Sequence, residues 1–230
     1  MGESGGRLPK SDQLTRIKGE YMTTAQLNKA AKEGEGESTR LNNLEIAADL
    51  LLELLEGVST HAGRDKSLPT LNSVEIEGEG GQLLARATDR YRLIEGSART
   101  LDGSLDKALV SLDDIKRIIT LLKSHKAHLV SLTRMGDALT VSALGDTITF
   151  TLRDGTFPPT SELLAKSEGE PVAVEGMAFN PAFFSDYAKI AGKKAGIKVY
   201  FYGEGKPMRI RITSDTITWR ALLMPMRYQD

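Results

Sequence analysis

DTITF (Asp146–Phe150) and DTITW (Asp215–Trp219) are nearly the same stretch of sequence, occurring twice in one chain. Each copy belongs to the last of the strand-like runs that follow an apolar, helix-like segment. One short match can arise by chance, but a match that also recurs at the same place in the order of elements indicates an internal duplication.

The order of predicted elements around these copies defines the fold class. In residues 107–155 and 171–225 a strand is followed by a helix and three strands, and residues 43–99 contain a helix followed by strand-like runs. Together they predict an α+β fold of three β-α-β-β-β units, with helices on one face of antiparallel sheets. A unit of about 60 residues buries too little apolar surface to be stable alone. We therefore expect the first two units to pair, which leaves the third without a mate.

Helix boundaries are predicted from caps and apolar spacing. The first helix is expected to be capped by Asn42 or Asn43, because apolar residues recur after them at helical spacing: Leu44, Ala47, Leu51, Leu54 and Val58. The second is expected from about Leu112 to Lys126. The third is expected to have Asn180 as its cap and Pro181 at its first position, which proline favours.

The chain divides into three predicted segments. Residues 1–42 are rich in Gly, Glu and Ser and poor in β-branched and aromatic residues, which predicts a flexible tail with at most a short helix over residues 23–33. Residues 43–155 are expected to form one domain from the first two units. Residues 156–230 hold a connector and the third unit.

Composition restricts the classes of function. The 30 Lys and Arg residues nearly balance the 31 Asp and Glu residues, so a nucleic-acid surface requires segregated charge rather than a basic excess. The chain has no cysteine, which excludes disulfides and thiolate metal sites and is compatible with a reducing cytosol. No apolar run reaches the roughly 20 residues of a membrane span. We expect a soluble, cytoplasmic protein.

Catalytic and metal-binding patterns are weak. His125 and His128 lie three residues apart, but no nearby carboxylate or Cys completes a metal site, so a solvated helix end is the favoured interpretation. GEGKP (203–207) lacks the pattern of a phosphate-binding loop. Trp219 is expected in the core. These patterns favour a binding protein rather than an enzyme, with no cofactor and no metal.

Four motifs resemble the sliding clamp of bacterial DNA polymerase III, its β subunit. They are LPTLNSVEIE (68–77), ATDRYRL (87–93), RDGTFPPTSELL (153–164) and LLMPMRY (222–228), and they follow the order of that family. The resemblance covers about Asn43 to Tyr228 and implies the DNA-clamp fold.

The resemblance also implies that parts of the family's plan are missing. That clamp has three domains of two units each in every subunit, and two subunits close a ring. This chain resembles the second domain and the second half of the third, with the first domain absent and the first half of the third missing between Leu164 and Pro171. Two assemblies stay open: a homo-oligomer in which the third unit pairs with its copy in another subunit, and a monomer that never closes a ring.

In the clamp family, a groove between the second and third domains accepts short peptides with Gln, Leu and an aromatic residue. Carried over to this sequence, the resemblance implies a partner-peptide groove made of residues from three regions: Leu71, Thr88, Arg90, Tyr91, Arg92, Leu93, Pro158, Leu163, Leu222, Met224, Pro225 and Met226. Apolar, adaptable side chains with a few polar groups suit small hydrophobic anchors. The competing interpretation is an ordinary core edge, with Arg90 and Arg92 on a solvated face.

The family also contacts DNA phosphates through helices that line its channel, without reading bases. The basic residues implied for this role lie in one loop and on the second and third helices: Arg64, Lys66, Lys116, Arg117, Lys123, Lys126, Lys189, Lys193 and Lys194. The first helix argues against DNA contact, because its polar side carries only acidic residues: Glu45, Asp49, Glu53 and Glu56. A generic solvated lysine surface is the competing interpretation.

The leading hypothesis is a clamp-type processivity factor that holds a replicative DNA polymerase, and optionally a clamp loader, at double-stranded DNA in the nucleoid. The alternative is a reduced clamp-fold adaptor or competitor that binds clamp-binding peptides without encircling DNA. A sequence-specific DNA-binding regulator is disfavoured, since no recognition helix is evident.

Overall fold

The computed structural model describes residues 14–17, 20–23, 42–124, 128–167, 169–192 and 195–227. The chain divides into two compact parts, Met1–Leu41 and Asn42–Asp230. In the smaller part, β1 (Leu14–Ile17) pairs antiparallel with β2 (Glu20–Thr23), a hairpin that was not expected from the composition. The short helix expected over residues 23–33 lies, from residue 24 onward, outside the described residues.

The larger part combines antiparallel strands with helices. In chain order its described elements are β3 (Asn43–Ala47), α1 (Ala48–Ser59), β4 (Ser73–Glu79), β5 (Gln82–Thr88), β6 (Arg92–Arg99), β7 (Asp102–Gly103), β8 (Leu105–Ser111), α2 (Leu112–Ser124), β9 (Leu129–Met135), β10 (Ala138–Ala143), β11 (Asp146–Thr151), α3 (Thr160–Lys166), α4 (Pro181–Ala191), β12 (Ile197–Tyr200), β13 (Met208–Thr213) and β14 (Ile217–Leu223). The Asn180 side chain caps α4 as predicted, accepting a hydrogen bond from the Ala182 N–H at 3.0 Å. None of the described helices is long and apolar enough to cross a membrane.

The first helix begins later than predicted, and the residues before it form a strand. Leu44 and Ile46 are fully buried and alternate with half-buried neighbours in β3, which is the period of a strand. The Asn43 side-chain oxygen accepts hydrogen bonds from two hydroxyl groups of the neighbouring β9 instead of capping a helix. The Asn42 side chain bonds to Asp106. The predicted helix start, with Asn42 or Asn43 as the cap, is therefore wrong.

The described strands of the larger part form two antiparallel sheets, with orders β11-β10-β9-β3-β7 and β12-β13-β14-β6-β5-β4-β8. The first two units exchange their first strands, because β3 of the first unit lies beside β9 of the second and β8 of the second lies beside β4 of the first. Each sheet is therefore completed by a strand from the other unit, and the two share one buried core. The predicted α+β fold is confirmed.

The third unit joins the first along a strand edge. β14 pairs with β6 over seven residue pairs, from Ile217 opposite Ala98 to Leu223 opposite Arg92. The first strand expected for this unit does not form: within residues 171–179 Ala178 makes a bridge with Met226, and the Val172 N–H donates to the carbonyl oxygen of Phe201, just beyond β12, at 2.9 Å. Among the described residues the third unit therefore has a helix and three strands, while its first segment belongs to no sheet.

A row of alternating charges crosses the junction between the first and third units. Glu75, Arg86, Glu95 and Arg220 lie opposite one another on β4, β5, β6 and β14. Arg86 Nε donates to Glu95 Oε2 at 2.7 Å, and Arg220 Nε donates to Glu95 Oε1 at 2.9 Å. Arg86 and Glu95 are both buried. Burial alone would lower the pKa of Arg86. Its bonds to Glu95, Glu77 and Glu75 outweigh this effect and raise the pKa, so the guanidinium stays charged.

Trp219 packs at the same junction, on the other face of the sheet. Its indole is buried at 1% exposure and lies against Gly57 of α1 and Gly96 of β6. A Cβ atom at either glycine would collide with the indole ring. The expectation that Trp219 is a core residue is confirmed.

Gly57→Ala is expected to destabilise the protein although alanine is the better helix former. Alanine gains about 1 kcal/mol of helix propensity, whereas overpacking a close contact costs about 1–3 kcal/mol. Denaturant unfolding should show a lower free energy of unfolding. Gly196→Ala is the matched control, because a Cβ there meets no atom within 4 Å. A Gly57→Ala protein more stable than the wild type would contradict the packing described for Trp219.

Candidate functional site

The hairpin loop between β5 and β6 presents Tyr91 on the surface. Asp89 Oδ1 accepts hydrogen bonds from the N–H groups of Tyr91 and Arg92, at 3.0 and 2.9 Å. The Thr88 hydroxyl donates to the Arg92 carbonyl oxygen at 2.8 Å. Arg90 has a φ of 79°, in the left-handed region that few non-glycine residues adopt. Tyr91, which follows it, is 60% exposed, so Thr88 and Asp89 shape a loop that displays the aromatic ring.

The C-terminal segment runs directly beside this loop. Beyond β14, the Met224 N–H donates to the Tyr91 carbonyl oxygen at 2.8 Å. Pro225 ends the ladder because it has no N–H to donate. The Met226 N–H then donates to the Ala178 carbonyl oxygen at 2.9 Å. These bonds place the tail between the Tyr91 loop and the segment that precedes α4.

Apolar side chains from three elements meet at this surface. Leu93 of β6, Leu164 of α3 and Leu222 of β14 form a small buried cluster that is separate from the main core. The same parts of the chain carry exposed apolar side chains: Tyr91, Leu163, Met224 and Met226. We call these seven residues the tail groove. An apolar surface of this kind is more typical of a binding site than of ordinary solvent-facing structure.

The other predicted groove residues are less exposed or lie outside this cluster. Thr88 is buried, and Leu71, Pro158 and Pro225 are half-buried. The Leu71 carbonyl accepts a hydrogen bond from the Gly63 N–H, and Pro158 lies just before α3. Contact of these residues, and of the exposed Arg90, with a peptide stays a prediction.

Arg92, which was predicted on the groove wall, is largely buried, and its contact with a peptide stays a prediction. Its guanidinium donates to Asp89 Oδ2 at 2.9 Å, to Asp186 Oδ2 at 2.7 Å and to the Thr60 carbonyl oxygen at 2.7 Å. It also lies over the Phe183 ring, 4.3 Å from the centroid. Because its side chain is 8% exposed, Arg92 ties the hairpin loop to α1 and α4 instead of facing solvent. Asp186 and Asp89, which hold it, were not identified from the sequence.

His61 lies beside this network and was also not identified from the sequence. It is fully buried, and its ring is 5.0 Å from that of Tyr187 between centroids. Its Nδ1 is 2.8 Å from the Thr60 hydroxyl. Burial, reinforced by the charge of Arg92, lowers the pKa of His61 to about 3, so the imidazole is neutral at pH 7. Burial disfavours the charged form of Tyr187 as well, and because that form is the phenolate anion it raises the pKa of the Tyr187 hydroxyl.

The residues predicted to contact DNA are mostly paired with carboxylates. Lys66 lies 2.8 Å from Asp113, and the other described ion pairs are Lys116–Asp113, Arg117–Asp114, Lys123–Glu56 and Lys189–Asp186. Arg64 is exposed. Lys126, Lys193 and Lys194 lie outside the described residues, as does His125. Exposed pairs of this kind are weak, so phosphates can compete for them, but the local charge is close to neutral.

Only some of the acidic residues predicted on the first helix lie on that helix. Asp49, Glu53 and Glu56 lie on α1, whereas Glu45 belongs to β3, so its assignment to the helix is wrong. The three carboxylates line a cavity of about 740 Å³ that also includes residues of α2, α4 and Trp219. This helical face is therefore acidic, which opposes close contact with a phosphate backbone.

Comparison with solved structures places this fold among bacterial sliding clamps. The DNA polymerase III β subunit of Thermotoga maritima has a TM-score of 0.70 and 20% identity, with 84% of this chain and 67% of that one covered. The sliding clamp of Bacillus subtilis has a TM-score of 0.66 and 20% identity, covering 86% and 68%. The β subunit of Borrelia burgdorferi has a TM-score of 0.68 and 14% identity, covering 96% and 71%.

No protein-family model matches the sequence. The chain spans about two thirds of the length of these clamps, and identities of this size establish the fold alone. The protein is therefore clamp-like, with the fold of the β sliding clamp of bacterial DNA polymerase III.

Proposed function

We propose that this protein binds short apolar peptides of replication proteins in the tail groove, as a binding protein without catalytic chemistry. The observation that carries the proposal is the hydrogen bond from the Met224 N–H to the Tyr91 carbonyl oxygen. It holds two exposed apolar side chains, Tyr91 and Met224, from distant parts of the sequence beside the buried Leu93–Leu164–Leu222 cluster.

The chemistry of the groove suits a Leu or aromatic anchor. Methionine is unbranched and polarizable, so Met224 and Met226 can adapt to side chains of different shape. Tyr91 offers a rigid ring that loses little conformational entropy when it is covered. Arg92 donates hydrogen bonds to Asp89 of this loop and to Asp186 of α4. These bonds fix the loop in place and favour a preformed site.

Two candidate functions include peptide binding, a processivity factor and an adaptor. Only the processivity factor would also slide on DNA. Within the described residues α1 carries three acidic side chains and no basic one, and the basic residues of α2 and α4 are paired with carboxylates. These charges favour the adaptor, which binds peptides without sliding on DNA. The sliding-clamp fold supports the processivity factor as the second candidate.

Met224→Ala combined with Met226→Ala is expected to weaken peptide binding at least tenfold. Burial of a methionine side chain contributes about 1.5–3 kcal/mol, and about 1.4 kcal/mol corresponds to a factor of ten in Kd. The measurement is fluorescence anisotropy of a labelled peptide containing Gln-Leu-x-Leu-Phe. Met135→Ala is the matched control, because Met135 is 64% exposed at the end of β9, outside the tail groove.

An unchanged Kd in the double variant would refute the groove. Primer extension by a cognate polymerase then separates the two candidates. Peptide binding without stimulated synthesis supports the adaptor, whereas stimulated synthesis supports the processivity factor.

A further inference from the structure

Within the part of the chain that the structure describes, the third unit has an open strand edge where the other two units are covered. In the first unit, the edge of β4 is covered by β8, and in the second unit the edge of β9 is covered by β3. The equivalent strand of the third unit is β12, the first strand after its helix. It pairs with β13 on one side and ends the seven-stranded order on the other.

Side chains on the core face of β12 are exposed, unlike their counterparts. Ile197 and Val199 lie opposite Ile212 and Ile210, which are both buried at 1% exposure. Ile197 and Val199 themselves are 42% and 44% exposed. The counterparts in the covered strands are fully or nearly fully buried: Val74, Ile76, Val130 and Leu132. Phe184 of α4 adds a further exposed apolar ring to this unit.

The segment that would cover such an edge is present in the same unit but belongs to no sheet, although the Val172 N–H at its start donates to the Phe201 carbonyl oxygen at 2.9 Å. In the first two units, the residue two positions before the helix, Ile46 or Val110, faces the core and lies opposite the first core-facing residue of the mate's strand. Phe179 holds this position before α4, and it packs against the core. Met177, two residues earlier, corresponds to Leu44.

We propose that two copies of this chain pair through their third units, each adding residues 175–179 antiparallel to β12 of the other. The pairing within the first two units gives the register: Phe179 of one copy opposite Ile197 of the other, and Met177 opposite Val199. Each chain carries both the open edge of β12 and the segment 175–179. The contact is therefore self-complementary and closes with two-fold symmetry. The Ala178–Met226 bridge uses the other side of the segment, as β7 does beside β3.

The proposal goes beyond peptide binding and does not depend on it. The tail groove lies where β14 meets β6, and the open edge lies on β12, two strands away within the same sheet. Pairing would bury the exposed face of β12 and complete an eight-strand, two-helix arrangement like that of the first two units. It would also remove an unpaired edge, which soluble proteins avoid exposing.

Sedimentation equilibrium of the full chain tests the pairing. The expected result is a dimer of about twice the 25.0 kDa chain mass. Val199→Lys is expected to raise the dimer dissociation constant at least about tenfold, because each lysine charge would be buried without a partner. Lys198→Glu is the matched control, on the opposite face of the same strand, and should leave the dimer intact. Peptide binding by the monomeric variant should be unchanged, which separates this proposal from the tail groove.

Engineered cysteines test the register directly, since the chain has no cysteine of its own. The double variant Met177→Cys and Val199→Cys is expected to form a covalent dimer on mild oxidation. The double variant Met177→Cys and Lys206→Cys, with its second thiol in the β12–β13 turn, should stay monomeric on a denaturing gel. A monomer at all concentrations, or a dimer that Val199→Lys leaves unchanged, would overturn the proposal.

Discussion

Arg86→Met is expected to lower the free energy of unfolding by about 3–5 kcal/mol, the usual cost of removing one partner from a buried ion pair. Arg86 is 3% exposed and bonds to three carboxylates: Glu95 at 2.7 Å, Glu75 at 3.0 Å and Glu77 at 3.1 Å. Methionine keeps most of the apolar stem but leaves these negative charges without the central cation. Equilibrium denaturation by urea measures the loss.

Arg99→Met, an exposed arginine at the end of β6, is the matched control and should change stability by no more than about 0.5 kcal/mol. A loss as small as that of the control would mean that the charged row does not hold the junction.

His61 is expected to make the protein lose stability on mild acidification. The folded-state pKa of about 3 lies below the ordinary value of 6.5, so between these values the unfolded chain binds the proton and the folded protein does not. The contribution of this group is fully present above pH 6.5 and declines as the pH falls, by up to about 1.4 kcal/mol per pH unit. From pH 6.5 to 4.5 the expected loss is about 2–3 kcal/mol.

The His61 effect is isolated by comparing the wild type with His61→Phe over this pH range. The neutral ring removes the titrating group, so the stability of the variant should vary much less between pH 6.5 and 4.5. Thermal unfolding followed by the fluorescence of the single tryptophan provides the measurement. Parallel pH profiles for the two proteins would contradict the buried, neutral state of His61 beside Arg92 and Asp186.

Features set by local sequence were predictable. The cap of α4 and the start of α2 depend on residues within one helical turn, so Asn180, Pro181 and Leu112 were placed correctly. The duplicated DTITF and DTITW stretches both became last strands of their units. The tail groove was reached through the family resemblance, because no local pattern connects Tyr91 with Met224.

Features that depend on distant partners were missed. Leu44 fits helical spacing with Ala47 and Leu51 and strand spacing with Ile46, and β9, which lies far along the chain, decides between them. Arg92 was predicted on the groove wall, with a solvated face as the alternative, and its partner Asp186, 94 positions away, was not identified. Residues 171–179 have a strand pattern but make only isolated backbone hydrogen bonds, from Val172 to Phe201 and from Met226 to Ala178, so no ladder forms there within the described chain.

The central claim, a peptide site where the tail meets the Tyr91 loop, is tested most directly by methyl NMR. The chain has seven methionines, and a protein labelled at their methyl carbons reports on the tail groove and on distant surfaces together. Titration with the Gln-Leu-x-Leu-Phe peptide should shift Met224 and Met226 and leave Met135, at the end of β9, unchanged. Shifts at Met135 without shifts at Met224 and Met226, or none at saturating peptide, would contradict the assignment of this site.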